Sequence, residues 1–242
     1  MSLIIYTICK DGIVVASDTR RTIRDGNGHV RYDDTEEKTV PFPNNVVVSH
    51  CGDSKVNNDL TVTQFLYNLR KKIGNRSTIF DLPLTILTEY VKVRGINDSV
   101  FLVSGYIDGL NTCCTYTIFT KSSEIRLSIK PFCFGSSYNG MTNVAHAIMN
   151  SGIDYSNLSI KEAIDLTKTC LCTNLTVYTY NNNPGIGGSC QVYVVDVLHN
   201  QVGWLQDDGI IVPDDDAPSD GLERYRERQQ KRLLNQLKKK EN

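Results

Sequence analysis

The sequence predicts an α+β fold in which pairs of helices cover β-sheets. The chain opens with two apolar, β-rich runs on either side of Lys10-Asp11-Gly12, which predicts a hairpin because Asp-Gly favours a tight turn. Further along, the elements follow in the order strands, two helices, strands, two helices, strands. Such segregated blocks favour helices packed on sheets, and they differ from the alternation of a doubly wound parallel sheet.

The first half of the chain contains short strands and then two helices. The polar stretch 23–37 is rich in turn-forming residues and predicts a loop or an extended hairpin arm. Strands are predicted over 38–42 and 46–50. Helical apolar spacing with a following glycine predicts helices over 54–73 and 81–94.

The second half repeats this order with strands first. A helix is predicted over 137–151, before Gly152. The capping box Ser159-Ile160-Lys161-Glu162 predicts a further helix through about Leu171. The predicted strands of this half are 99–106, 115–120, 125–129, 190–196 and 202–205.

Composition narrows the function class. The 242 residues are 40% hydrophobic and 22% charged, which fits one large domain or two small ones. A net charge of −1 argues against a general nucleic-acid or membrane-surface binder. There is no apolar run of about 20 residues and no signal-peptide pattern, so we expect no membrane segment and a cytoplasmic location. The eight cysteines are expected to be reduced and mostly buried, and their spacing predicts no metal site.

The C-terminal segment differs in character from the rest. We predict a domain over 1–212 and a tail over 213–242, formed by an acidic linker and a basic helix. A solvated or frayed helix is one interpretation of this tail. A docking arm for a partner subunit or a nucleic-acid contact is the alternative.

Ser2 is the first candidate functional residue. It begins the first strand directly after Met1. If Met1 is removed, Ser2 carries a hydroxyl and a free α-amine, whose pKa of about 7.7–8.0 allows it to act as a base near neutral pH. This is the nucleophile–base pair of an N-terminal-nucleophile hydrolase. The alternative is a serine that merely begins a strand.

Five motifs follow one another along the chain: Gly12-Ile13-Val14-Val15-Ala16-Ser17-Asp18-Thr19-Arg20, Cys51-Gly52-Asp53, Leu102-Val103-Ser104-Gly105-Tyr106, Gly135-Ser136-Ser137 and Gly187-Gly188. In this order and spacing they resemble proteasome β subunits and the related HslV peptidase. The resemblance covers about residues 2–205. It implies a four-layer αββα sandwich with an N-terminal nucleophile.

The resemblance also implies roles for individual residues. It places the nucleophile at Ser2 and the active-site lysine at Lys38. Asp18 would hold Lys38 and the chain start in position, and the backbone N–H of Gly52 would stabilise the oxyanion. Ser136 matches a serine that orients the α-amine.

One supporting position departs from the family pattern. Where the family usually has an aspartate before the glycine pair, this chain has Asn183, which can hydrogen-bond but carries no charge. The resemblance further implies a substrate pocket of mixed polarity, for which we predict the lining residues Arg21, Thr22, Val40, His50 and Ser54.

The resulting hypothesis is a peptidase that cleaves peptides or unfolded proteins by acyl transfer through Ser2, without a cofactor. The resemblance implies a homo-oligomeric ring, with an unfoldase or partner subunit as a further expectation. Two alternatives remain, namely a catalytically inactive ring or scaffold subunit and a transpeptidase in which another amine captures the acyl-enzyme.

Overall fold

The computed structural model describes residues 2–24, 26–57, 59–181, 185–206 and 211–213. Asn183, the tail helix and nearly all of the acidic linker lie outside these ranges. The division into a domain over 1–212 and a tail over 213–242 therefore stays a prediction.

The larger sheet has six antiparallel strands and carries the start of the chain at its interior. Its order is β10-β1-β2-β11-β12-β13, so β1 pairs on one side with β2 and on the other with β10. The bounds are β1 Leu3–Cys9, β2 Gly12–Asp18, β10 Gly135–Gly140, β11 Cys190–Asp196, β12 Gln201–Leu205 and β13 Ile211–Pro213.

The second sheet has five antiparallel strands in sequential order, and a separate two-stranded hairpin precedes it in the chain. The hairpin confirms the expected arm within 23–37. Its strands are β3 Arg21–Arg24 and β4 Val30–Asp33. The five-stranded sheet contains β5 Thr39–Phe42, β6 Val46–Cys51, β7 Val100–Ile107, β8 Thr112–Phe119 and β9 Glu124–Ile129.

Four α-helices lie in the described part of the chain, in two pairs: α1 Val62–Ile73, α2 Leu82–Arg94, α3 Asn143–Met149 and α4 Ile160–Tyr180. Helix α1 begins later than predicted because Thr61 caps it and forms a capping box with Gln64. The predicted capping box of Ser159 and Glu162 does begin α4. That helix continues past the predicted end at Leu171.

The predicted helix over 137–151 was wrong in its first part. Residues Gly135–Gly140 form strand β10, which pairs along β1, and only Asn143–Met149 is helical. The residues Ser-Ser-Tyr-Asn show neither the helical nor the strand spacing of apolar side chains, so pairing with the distant strand β1 decides their conformation.

Three apolar clusters form the interior. One joins the five-stranded sheet to α1 and α2, and includes Phe65 and Phe101. A second joins the six-stranded sheet to α3 and α4, and includes Leu171. The third lies between the two sheets, with Tyr6 and Leu102 among its members.

The predicted α+β class is confirmed at the level of antiparallel sheets and paired helices. Among the described residues, no helix is long and apolar enough to cross a membrane. The β1–β2 turn lies at one end of the six-stranded sheet. Ser2 and Asp18 lie at the opposite end, where the candidate site is found.

Candidate active site

Hydrogen bonds fix the backbone around Ser2 on both sides. The carbonyl of Ser2 accepts a hydrogen bond from the N–H of Met141 at 2.9 Å, at the end of β10. On the other side, the N–H of Leu3 donates to Asp18 Oδ1 at 2.8 Å. Ser2 itself is buried to 6% exposure. Its position is therefore set by backbone contacts and by one carboxylate.

Asp18 and Lys38 form a buried ion pair beside the chain start. Lys38 Nζ lies 2.7 Å from Asp18 Oδ1, the same oxygen that accepts the bond from Leu3. The two side chains are 0% and 3% exposed. The other carboxylate oxygen accepts backbone N–H bonds from Arg20 and Gly187, each at 3.3 Å. A buried carboxylate needs such partners, since an unpaired buried charge is costly.

A cavity of about 140 Å³ opens beside Ser2. Its uncharged lining residues are Ser2, Thr22, His50, Gly52 and Ser54. Its charged lining residues are Arg20, Arg21, Glu36, Lys38 and Asp53. The structure thus brings Ser2, Lys38 and Gly52 together with four of the five predicted pocket residues.

Val40 is the predicted pocket residue that does not line this cavity. It is completely buried and packs in the cluster beneath α1 and α2. Val40 lies two positions past Lys38 along β5, where the strand already runs under α1. Its predicted place in the pocket is therefore corrected to a place in the core.

Ser136 also lies away from the chain start. It pairs with Thr7, five positions along β1 from Ser2, and its hydroxyl accepts a hydrogen bond from Tyr155. At about 3.3 Å per strand residue this separation excludes contact with the α-amine of Ser2. The predicted orienting role of Ser136 is corrected accordingly.

Gly140 occupies the position near Ser2 that was expected for Ser136. It pairs with Leu3 at φ +104°, and a Cβ there would lie 1.8 Å from the carbonyl oxygen of Ser2. Sequence reasoning missed this residue. The Asn139-Gly140 pair, a turn-type dipeptide at the end of a polar run, was the signal that could have found it.

Gly52 is at a backbone position that only glycine accommodates well. Its φ is +102°, and a Cβ would lie 2.4 Å from the carbonyl oxygen of Asp98. It follows β6 directly and lines the cavity with Ser2. This geometry is consistent with an oxyanion donor, and that role stays a prediction.

A polar network that the sequence did not reveal forms one wall of the cavity. Glu36 Oε2 pairs with Arg21 at 3.1 Å, and Glu36 Oε1 lies 2.9 Å from Thr63 Oγ1. His50 Nε2 lies 2.9 Å from the same hydroxyl. The sequence does not single out Glu36, because its burial depends on α1, which supplies Thr63.

Burial leaves two neighbouring groups uncharged. Burial, with a smaller effect of Lys38, lowers the pKa of His50 to about 3, so the imidazole is neutral near pH 7. Burial raises the pKa of the Cys51 thiol to about 12. Cys51 therefore remains protonated, which argues against a thiolate nucleophile at this position.

Three further expectations concern Asn183, the cysteines and a metal site. Asn183 is outside the described residues, so the expected support from it stays a prediction. The eight cysteines are free thiols, five of them buried. Within the described ranges, His, Cys, Asp and Glu side chains do not cluster as metal ligands would.

Comparisons with known proteins find similar structures but no matching sequence family. Neither a protein family model nor a curated protein matches the sequence. A Gly-1 mutant of Anbu from Hyphomicrobium sp. strain MC1 is similar in structure, with a TM-score of 0.63, 14% identity, and coverage of 99% of this chain and 96% of that one. The Anbu complex from Pseudomonas aeruginosa, solved as a helical assembly, gives a TM-score of 0.61, 17% identity, and coverage of 97% and 96%.

The chain is similar in fold to these two Anbu structures. At this identity the likeness shows the fold alone. It also corrects the family expectation: the assignment to proteasome β subunits or the HslV peptidase was wrong, because no family model supports it and the similar structures are Anbu proteins.

A test of the site geometry follows from Gly140. We expect Gly140→Ala to displace Ser2 and to slow acylation of the protein by a β-lactone at least about 100-fold, because a misplacement of about 1 Å can cost that much. Gly135→Ala, at the other end of β10, is the matched control, since a Cβ there meets nothing within 4 Å. Equal acylation rates for the two variants would contradict the placement of Gly140 against Ser2.

Proposed function

We propose that this chain is an N-terminal-nucleophile hydrolase that cleaves amide bonds of peptides through Ser2. The observation that carries the proposal is the buried Lys38–Asp18 pair, whose carboxylate also binds the N–H of Leu3. Lys38 is thereby held beside Ser2 at the wall of a cavity, and Ser2 becomes the N-terminal residue once Met1 is removed. A cation in that place lowers the free energy of an alkoxide.

The roles divide as follows once Met1 has been removed. The α-amine of Ser2 accepts the proton of Oγ, which attacks the substrate carbonyl and forms a tetrahedral intermediate. The N–H of Gly52 stabilises its oxyanion, and Lys38 stabilises the developing charge on Oγ. The C–N bond breaks, the leaving amine takes the proton, and water hydrolyses the ester to restore Ser2. Capture of the ester by another amine would give transpeptidation.

The fold and the assembly state belong to the same proposal. The three apolar clusters support four layers, with α1 and α2 on one sheet and α3 and α4 on the other. We propose a homo-oligomer, because an Anbu complex was solved as a helical assembly. A helical assembly does not close, in contrast to the predicted ring. Light scattering of the purified protein distinguishes a monomer, a closed ring and an open assembly.

The test combines intact mass with covalent labelling. We expect the purified protein to begin at Ser2 and to gain one β-lactone adduct on the N-terminal peptide. Ser2→Ala should give no adduct, and Ser2→Thr should retain it, because threonine supplies the same hydroxyl and amine.

Ser136→Ala is the control for this test. Ser136 is a serine of the same sheet that lies five positions along β1 from the site, so the variant should be acylated like the wild type. An adduct that persists in Ser2→Ala, or a protein that retains Met1, would refute the proposal. Loss of the adduct in Ser136→Ala would contradict the correction of its role.

A further inference from the structure

The cavity beside Ser2 is lined by polar side chains and one glycine, and the residues given above include no apolar side chain. At about 140 Å³ it is larger than the roughly 10–15 Å³ that one water molecule needs, so it has room for a short side chain. Its chemistry can therefore indicate which substrate side chain is accepted there. The argument rests on the proposed function of Ser2.

Each of the five charged lining residues has an opposite charge beside it, and Glu36 shares Arg21 with Asp33. Besides the Lys38–Asp18 pair, Arg20 Nε lies 2.7 Å from Asp34 Oδ1 and Arg21 Nη2 lies 2.6 Å from Asp33 Oδ2. The carboxylate of Asp53 lies 3.2 Å from Arg94 Nη2. Arg21 therefore faces two carboxylates, so the net charge of the wall depends on the protonation state of Glu36.

The three contacts of the Thr63 hydroxyl indicate the protonation state of Glu36. Thr63 Oγ1 lies 2.5 Å from the carbonyl oxygen of Glu37, 2.9 Å from Glu36 Oε1 and 2.9 Å from His50 Nε2. A hydroxyl has one hydrogen and accepts two hydrogen bonds. The carbonyl of Glu37 can only accept, so the hydrogen of Thr63 belongs to that short contact. An ionised Glu36 would then face Oγ1 with no hydrogen between the two oxygens.

A proton on Glu36 satisfies all three contacts. Glu36 then donates to Thr63, His50 donates its Nε2–H to Thr63, and Thr63 donates to the Glu37 carbonyl. Burial has the largest effect on Glu36 and raises its pKa, and Asp33 adds to the rise, while the charges of Arg21 and Lys38 act in the opposite direction. A hydrogen bond from Thr63 would also lower this pKa, but only if Thr63 donated to Glu36 instead of to Glu37. The cavity wall is then neutral as a whole and rich in donors and acceptors.

We propose that this cavity selects an uncharged, hydrogen-bonding substrate side chain, a carboxamide of Gln or Asn, next to the bond that Ser2 cleaves. A charged side chain would enter a wall whose charges are already paired. An apolar side chain would leave the polar groups of the wall desolvated without partners, at about 1–3 kcal/mol for each group. A carboxamide both donates and accepts, and sites of this kind reject analogues that cannot. Glu36 is the specificity-determining residue.

The experiment compares peptides that differ only at the residue before the scissile bond, with Gln, Asn, Leu, Glu or Lys in that place. We expect kcat/KM for Gln or Asn to exceed that for each of the others at least 10-fold. Ser2→Ala is tested in parallel for binding of N-acetylated peptides that end in the same residues, and the same order of affinity is expected.

Two variants of Glu36 form the matched pair. Glu36→Gln keeps a donor toward Thr63 and an acceptor toward Arg21, so the Gln-over-Leu ratio should stay within about threefold of the wild type. Glu36→Met has a similar length without polar groups, and its ratio should fall at least 10-fold. Thermal unfolding and acylation by a small β-lactone without a side chain show that each variant is folded and reactive.

The outcomes separate this inference from the proposed function. Acylation at Ser2 with equal or greater cleavage after Leu, Glu or Lys overturns the inference and leaves the function intact. Failure of acylation, with carboxamide peptides still bound preferentially by Ser2→Ala, overturns the function and supports the cavity preference. A ratio that falls equally in Glu36→Gln and Glu36→Met overturns the role of the protonated carboxyl.

Discussion

Replacement of Lys38 by alanine is expected to cost about 3–5 kcal/mol of folding free energy, because removal of one partner leaves the other charge buried and unpaired. Asp18, the partner that remains, is completely buried and binds the N–H of Leu3. The same variant should lose acylation by a β-lactone, since Ser2 would lack the neighbouring ammonium. Urea unfolding and labelling followed by mass spectrometry measure the two effects.

Lys72→Ala is the matched control for the loss of an ion pair. Lys72 also lies within 2.6 Å of a carboxylate, that of Glu89, but its side chain is 66% exposed. Exposed pairs contribute little, so stability and acylation should be nearly unchanged. The double variant Lys38→Met with Asp18→Asn should recover stability relative to Lys38→Met alone, without acylation. Equal destabilisation by Lys38→Ala and Lys72→Ala would contradict the buried pair.

Acidification from pH 7 to pH 4 is expected to lower the free energy of unfolding by about 3 kcal/mol through His50. The pKa of His50 is about 3 in the folded chain, against 6.5 for an unperturbed histidine. The unfolded chain therefore binds a proton between these values and the folded chain does not. The contribution is complete above pH 6.5 and falls as the pH decreases toward 3. Urea unfolding at a series of pH values measures it.

His50→Gln isolates this contribution from other titrating groups. Glutamine can donate to Thr63 as His50 does, but it does not titrate. Glu36 acts in the opposite direction, since its raised pKa favours the folded chain as the pH falls. The difference in unfolding free energy between wild type and His50→Gln should therefore shrink or change sign on acidification. A difference that is constant from pH 7 to pH 4 would contradict a buried, neutral His50.

The part of the site that could be predicted from local sequence is the relation of Ser2 to Asp18. A hairpin with its turn at Lys10-Asp11-Gly12 places Ser17 opposite Ile4, so Asp18 necessarily lies beside the chain start. The apolar runs and the Asp-Gly turn determine this register together. Lys38 lies beside the other sheet, and only the family resemblance suggested that it would reach Asp18.

The residues whose positions were predicted wrongly are placed by contacts between segments that are distant in sequence. Ser136 and Gly140 lie at opposite ends of β10, and the register of an edge strand without an apolar pattern cannot be deduced locally. Lys38 directly precedes β5 and lines the cavity, whereas Val40 lies on β5 and packs in the apolar cluster with α1 and α2. The proton on Glu36 depends on Thr63 of α1, whose neighbours come from the segment 36–37 before β5 and from His50 of β6.

The interior position of β1 also has a consequence for folding. β1 pairs with β10, and β2 pairs with β11, across more than half of the chain in each case. Such non-local pairings form slowly, because the loop between them must first close. Met141 and Gly187, which hold the Ser2 carbonyl and Asp18, arrive only with these late segments. A partly folded or truncated chain therefore lacks a positioned Ser2, and the proposed hydrolytic activity would appear only when the C-terminal strands have docked.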